Sequence, residues 1–146
     1  MEFKTKSFDE LTTKELYEIA RARAEIFLME QKIICRDLDG VDYDSLHCFI
    51  EENGKVIAYL RAFRKPDEKD VAMVGRVLSL THKIGLGKRL MCDSIPEVKR
   101  RLGAKKILIH SQKHAKGFYE KLGFCVTSDE FLEEGVVHVE MELVLE

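Results

Sequence analysis

Residues 71–80 read Val-Ala-Met-Val-Gly-Arg-Val-Leu-Ser-Leu, and shortly afterwards comes Gly85-Leu86-Gly87-Lys88-Arg89-Leu90-Met91. A run this apolar suits a strand covered on both faces. The segment after the glycines has helical character, from about Leu86 to Leu102, with Gly103 as its stop. A buried strand feeding through a glycine-rich turn into a helix restricts the chain to layered α/β architectures. Pro96 falls inside the helix and is expected to kink it, or to end one turn so that another starts at Ser94.

The flanking elements extend this frame. Met1–Phe8 alternates weakly, as a short edge strand would. Thr12 and Glu15 have capping-box spacing, so a helix is expected from there to about Gln31, with Leu16, Ile19, Ala20, Ile26 and Phe27 on its apolar stripe. Arg23 interrupts that stripe. Residues 33–45 carry Asp37, Asp39, Gly40, Asp42 and Asp44 and read as an acidic loop. Leu46–Glu52 and Lys55–Arg64 flank Asn53-Gly54, a strong hairpin signal. A strand at Lys106–Ser111, a short helix from His114 to Leu122, a strand at Phe124–Thr127 and an alternating strand from Val136 to Leu145 complete the reading. There is no internal repeat or linker, so residues 1–146 are read as one domain.

Bulk properties exclude several classes. The net charge of −2 and the lack of a basic, aromatic stripe argue against a nucleic-acid partner. No apolar run approaches bilayer-spanning length, and MEFKTKSFDE has no apolar leader, so a cytoplasmic protein without a membrane partner is expected. Cys35, Cys48, Cys92 and Cys125 are scattered without a C-x-x-C pair, which argues against a metal site.

The glycines raise a chemical question. A helix N-terminus presents unpaired N–H groups and the positive end of a dipole, which together bind anions. Gly85 and Gly87 would let a phosphate reach the backbone, and Lys83, Lys88 and Arg89 add positive charge. The stretch is not a Walker loop, because His82 and Arg89 occupy its two defining ends. It lacks the third glycine of the dinucleotide fingerprint. On this motif alone, a phosphate-bearing ligand and a plain tight turn remain equal readings.

Further along, Ala115-Lys116-Gly117-Phe118-Tyr119-Glu120-Lys121-Leu122-Gly123-Phe124 changes the balance. Together with Ile84-Gly85-Leu86-Gly87, it resembles the GNAT superfamily of acyl-CoA-dependent N-acetyltransferases, whose pyrophosphate loop reads [Q/R]-x-x-G-x-[G/A] and whose later helix reads A-x-x-F-Y-x-x-L-G-F. The helix Arg23–Gln31, the loop Asp37–Gly40 and the strand Gly135–His138 are similar to the ElaA-like branch. The resemblance covers nearly the whole chain. It implies a GNAT fold, with a central mixed, mostly antiparallel sheet of six to seven strands flanked by about four helices. In two respects the chain departs from the pattern: His82 stands where the family carries Gln or Arg, and the segment from Gly75 to Gly85 is shorter.

The resemblance implies direct transfer of an acetyl group from acetyl-CoA to a primary amine, without a metal. Val77, Leu78, His82, Lys83, Ile84, Gly85, Leu86, Gly87, Lys88, Gln112 and Phe118 fall on positions that would hold acetyl-CoA, and Tyr119 on that of the acid protonating the leaving thiolate. Arg23, Glu30, His47, Arg76 and His138 are candidates for the acceptor side; no general base is evident, and Glu30, His47 and His138 are the candidates for it. Each has a plainer reading: Arg23 could pair with Asp37 or Asp39, Glu30 sits exposed at a helix end, and His47 and His138 could be satisfied structural histidines. Arg76, inside an apolar strand, needs a partner. Two alternatives stay open, a non-catalytic acyl-CoA-binding module on the same fold and a protein-interaction domain. The amphipathic last strand is compatible with a homodimer.

Overall fold

The computed structural model describes residues 1–80 and 85–146. Its organising element is one sheet of eight strands: β1 Glu2–Ser7, β2 Leu46–Glu52, β3 Lys55–Lys65, β4 Glu68–Ser79, β5 Lys106–Gln112, β6 Cys125–Val126, β7 Phe131–Glu133 and β8 Val136–Val144. The order across the sheet is β1-β2-β3-β4-β5-β8-β6, with β7 also paired to β8. All neighbours run antiparallel except β4 and β5. The parallel pair requires a crossover, which α2 (Leu86–Leu102) supplies. The mixed, mostly antiparallel α/β sheet expected from the sequence is therefore present, with one strand more than expected. Three α-helices flank it: α1 Thr13–Arg23, α2, and α3 Lys116–Lys121.

The two faces of the sheet carry separate apolar clusters. On one, Phe49, Tyr59 and Leu78 pack against Ile19, Ala22 and Ile26. On the other, Cys48, Ile50, Ala58, Leu60 and Ala62 meet Leu90, Met91 and Val98 of α2, and the cluster continues to Tyr119 and Phe124. Leu90 and Met91 are fully buried, a burial that stabilises by about 1.5–3 kcal/mol for each side chain.

The departures from expectation have local causes. The α1 capping box forms, with the Thr12 hydroxyl accepting from the Glu15 N–H at 3.0 Å and the Glu15 carboxylate accepting from the Thr12 N–H at 2.8 Å. Lys4 and Lys6 then close over Glu15 and bury it. The helix does not stay α-helical to Gln31. It widens into a π-helix over Ala24–Glu30, where the Gln31 N–H reaches the Ile26 carbonyl at 2.8 Å. Within α1 the buried face runs through Glu15, Glu18, Ile19, Ala22 and Arg23, so it differs from the predicted stripe: Leu16 is exposed, while Ala22 and Arg23 are buried. Pro96 neither ends nor restarts α2, which runs unbroken to its cap at Gly103. Losing one backbone hydrogen bond there is offset by the buried Leu90, Met91 and Val98 face. Strand β7, for which the sequence reading named no element, forms because Glu134 (φ 51°) and Gly135 (φ 75°) make a tight turn that folds it back onto β8.

Candidate functional site

The site begins with a fault in the β3–β4 ladder. Tyr59 pairs with Leu78 and Arg61 with Gly75, so Arg76 and Val77 together oppose Leu60. Arg76 takes φ 54°, a left-handed conformation that costs a non-glycine residue of order 1–3 kcal/mol. The bulge turns β4 away from its parallel neighbour. Their pairing covers Val71–Val74 against Lys106–Ile109, and beyond it the two strands splay. Between them lies a cleft of about 650 Å³. Gly75, Arg76 and Val77 line one side, Ser111, Gln112 and Tyr119 the other, and Glu133 and His138 close a third.

A buried ionic lattice holds the bulge. Arg23, 1% exposed, donates from Nε to Asp37 Oδ2 at 3.1 Å, from one terminal nitrogen to Asp42 Oδ1 at 2.6 Å and from the other to the Asp37 carbonyl at 2.6 Å. Arg61 forks onto both oxygens of Asp39 at 2.7 Å and reaches Asp42 at 3.1 Å. Arg76 Nε donates to Asp37 Oδ1 at 2.9 Å. Arg61 holds the Asp39 carboxyl far below the usual range. Burial opposes ionisation of Asp42, but Arg23 and Arg61 outweigh it and its pKa is lowered. Three arginines from three elements thus pin the acidic loop against the bulge. The expected partner of Arg23 was Asp37 or Asp39; it takes Asp37 and Asp42, leaving Asp39 to Arg61.

This lattice moves two acceptor-side candidates out of the cleft. Arg23 lies behind it. His47 is buried too, with Nε2 at 2.9 Å from the Asp42 carbonyl and Nδ1 at 2.7 Å from the Tyr59 hydroxyl. A carbonyl only accepts, so Nε2 carries the hydrogen and Nδ1 accepts from Tyr59. Burial lowers the pKa of this ring, and it serves as a neutral strut. Glu30 is exposed at the end of the π-helix, beside a shallow depression with Met29 and Leu80. Arg76 and His138 do face the cleft.

On the other side, Val77, Gln112 and Tyr119 line the cleft. Leu78 is buried on the α1 face. Gly85, at φ 88°, caps α2, where an L side chain would be strained. Leu86 is buried, and Gly87 and Lys88 occupy the first turn. His82, Lys83 and Ile84 lie outside the described residues. A Cβ placed on Gly87 would sit 3.5 Å from the Phe118 ring, so the glycine turn and the Phe118-Tyr119 helix, far apart in sequence, meet in space. Phe118 packs edge-on against Tyr119 with centroids 5.1 Å apart. Tyr119 is 7% exposed, and burial raises its pKa well above the usual phenol value. Among the described residues its hydroxyl has no hydrogen-bond partner. It is therefore a protonated phenol on a ring that lines the cleft.

Among the cleft residues that were not anticipated, His110 and Glu133 form a pair. His110 Nδ1 lies 2.8 Å from Glu133 Oε1, and this bond raises the histidine pKa and lowers that of the carboxyl. His110 sits in an apolar strand run and Glu133 in a stretch to which the sequence reading assigned no element. The signal that could have found them was Glu134-Gly135, a turn dipeptide directly before an alternating strand.

Comparison with known proteins agrees with this geometry. The family described as acetyltransferase (GNAT) domain matches residues 21–145. A UPF0039 protein of Schizosaccharomyces pombe is 35% identical over 99% of this chain and 98% of its own length. The crystal structure of an acyl-CoA N-acyltransferase from Pseudomonas aeruginosa superposes with a TM-score of 0.88 at 30% identity, covering 97% of this chain and 99% of that one. The crystal structure of Escherichia coli ElaA superposes with a TM-score of 0.89 at 26% identity, covering 97% of each chain.

Proposed function

We propose, on the premise that the chain belongs to the GNAT acetyltransferase family, that it transfers an acetyl group from acetyl-CoA to a primary amine within a ternary complex. The observation that carries this reading is the meeting of the α2 N-terminus with Phe118-Tyr119 beside two splayed parallel strands. The pyrophosphate would take the N–H groups of the first α2 turn, where Gly85 and Gly87 leave the backbone open and the helix dipole favours negative charge. The acyl arm would lie in the splay, alongside Val77 and Gln112. Among the described residues, strand β4 has no hydrogen-bonding partner there on the β5 side, so its N–H groups are available to the arm and to the developing oxyanion.

The amine lone pair attacks the thioester carbonyl and forms the N–C bond. As the tetrahedral intermediate collapses, the C–S bond breaks and the thiolate takes the proton of the Tyr119 hydroxyl. The phenolate recovers a proton from the positively charged nitrogen of the intermediate. A phenol is a weaker acid than a thiol, so Tyr119 acts through position, held by its edge-on contacts with Phe118 and Phe124.

Calorimetric titration of the protein with acetyl-CoA tests the reading. Saturable one-to-one binding is expected, followed by thiol release when a panel of primary amines is added. Absence of binding at millimolar acetyl-CoA would refute it. Binding without turnover across a broad amine panel would favour the non-catalytic acyl-CoA-binding module.

A further inference from the structure

The β7–β8 hairpin brings Glu133 and His138 to the cleft from its two strands. His138 is 6% exposed, and its Nδ1 lies 2.8 Å from the Val136 carbonyl oxygen. A carbonyl only accepts, so Nδ1 carries the hydrogen and the neutral ring has its lone pair on Nε2. That lone pair lies 3.6 Å from Glu133 Oε2. Two acceptors so placed repel each other unless a donor or a proton joins them. Other groups fix the arrangement around them. His110 from β5 bonds the second oxygen of Glu133 at 2.8 Å, and the charge of Arg76 from β4 also favours the ionised carboxylate. Glu140 of β8 faces His110 from its far side at 3.7 Å. Phe131 of β7 stacks on the His138 ring with centroids 6.0 Å apart. The pair is therefore built to receive one polar hydrogen-bearing group from the cleft.

We propose that Glu133 Oε2 and His138 Nε2 form the acceptor-amine site, binding a primary ammonium through two of its N–H bonds, and that His138 Nε2 then takes the proton that frees the nitrogen lone pair. The proton-transfer half rests on the acetyltransferase reading above. The ammonium and neutral imidazole become a neutral amine and an imidazolium, with Glu133 anionic throughout and balancing first one cation, then the other. The amine attacks as described, and His138 releases its proton to solvent after the product leaves. A quaternary ammonium has no N–H to offer and is excluded from this site.

Nuclear magnetic resonance of the full chain with isotope-labelled histidine tests the proposal, with His138 assigned through His138→Gln. The expected resting state is the neutral Nδ1–H tautomer. Titration with n-butylammonium should shift the His138 Nε2 resonance saturably, and n-butyltrimethylammonium should leave it unmoved. Glu133→Gln should weaken n-butylammonium binding about tenfold, the loss of one charge-assisted hydrogen bond. Glu133→Asp, which keeps the charge, should fall between. An Nε2–H tautomer, an equal response to the quaternary ion, or unweakened n-butylammonium binding in Glu133→Gln would each overturn the site. A protein that takes n-butylammonium but not acetyl-CoA would overturn the acetyltransferase reading and leave the ammonium site. One that takes acetyl-CoA but not n-butylammonium would overturn the site alone.

Discussion

Replacing Arg23 with methionine is the sharpest probe of how the fold sustains the cleft. The change removes three hydrogen bonds, two to Asp37 and one to Asp42. Breaking a buried ion pair so that its partner is left alone costs about 3–5 kcal/mol. Here no partner is left alone. Asp42 keeps Arg61 at 3.1 Å, and Asp37 keeps Arg76 on both its carboxylate and its carbonyl. The expected loss therefore lies at or below the bottom of that range, and the methionine side chain, packed against Tyr59, offsets part of it. A net destabilisation of about 2 kcal/mol should appear as a lower urea midpoint with an unchanged slope. Arg23→Lys should lose nearly as much, since an ammonium cannot reproduce the fork. The second consequence is functional: Asp37 loses one of its two anchors, so Arg76 and the bulge loosen, and acetyl-CoA affinity should fall although Arg23 does not line the cleft. A stability change below about 0.5 kcal/mol, the range of ordinary surface substitutions, would refute the claim that this lattice holds the loop. Lost stability with unchanged acetyl-CoA affinity would refute the coupling between lattice and cleft.

Three further outcomes are expected. Tyr119→Phe should lower turnover by about 10²-fold, the scale of one general acid, with acetyl-CoA affinity by calorimetry unchanged; equal turnover would remove Tyr119 from the chemistry. Gly87→Ala should leave stability equal or slightly higher, because the new methyl meets Phe118 at an ordinary 3.5 Å and alanine suits a helix. Acetyl-CoA binding should nevertheless weaken, and unchanged affinity would mean that no ligand approaches this turn. Glu15, held at about 2 against an ordinary 4.5 by the Thr12 N–H and by Lys6 and Lys4 in spite of burial, favours the folded state by about 3 kcal/mol near neutrality. Its folded-state pKa is depressed, so this contribution is complete above about pH 5 and disappears as pH falls towards 2. The stability gap between wild type and Glu15→Gln should narrow along that window in urea melts; a gap independent of pH would rule the account out.

Much of this molecule was legible before any coordinates. The Thr12–Glu15 box, the Asn53-Gly54 hairpin and the α2 boundaries at Gly85 and Gly103 are written in short-range chemistry, which acts the same way in a peptide as in a protein. The apolar run of β4 announced a central strand for the same reason. The motifs around Gly85 and Phe118 pointed to the family, and the mixed sheet and the superposed acyltransferase agree.

What local pattern could not supply was decided by contacts between distant residues. Whether Arg23 would snorkel, pair or meet a ligand depended on where Asp37 and Asp42 came to lie, residues 14 and 19 positions away in the sequence. The bulge at Arg76 has no local signature. It exists because an ionic lattice offsets a strained backbone, and only through it do β4 and β5 separate. Glu133, His110 and His138 form one cluster because a turn at Glu134-Gly135 folds β7 back on β8. Sequence by itself determined most of the elements, their caps and the family, since those follow from neighbours along the chain. Only the tertiary structure decided which charges would be sealed away and which would face the cleft, because burial and pairing belong to residues that sequence keeps apart.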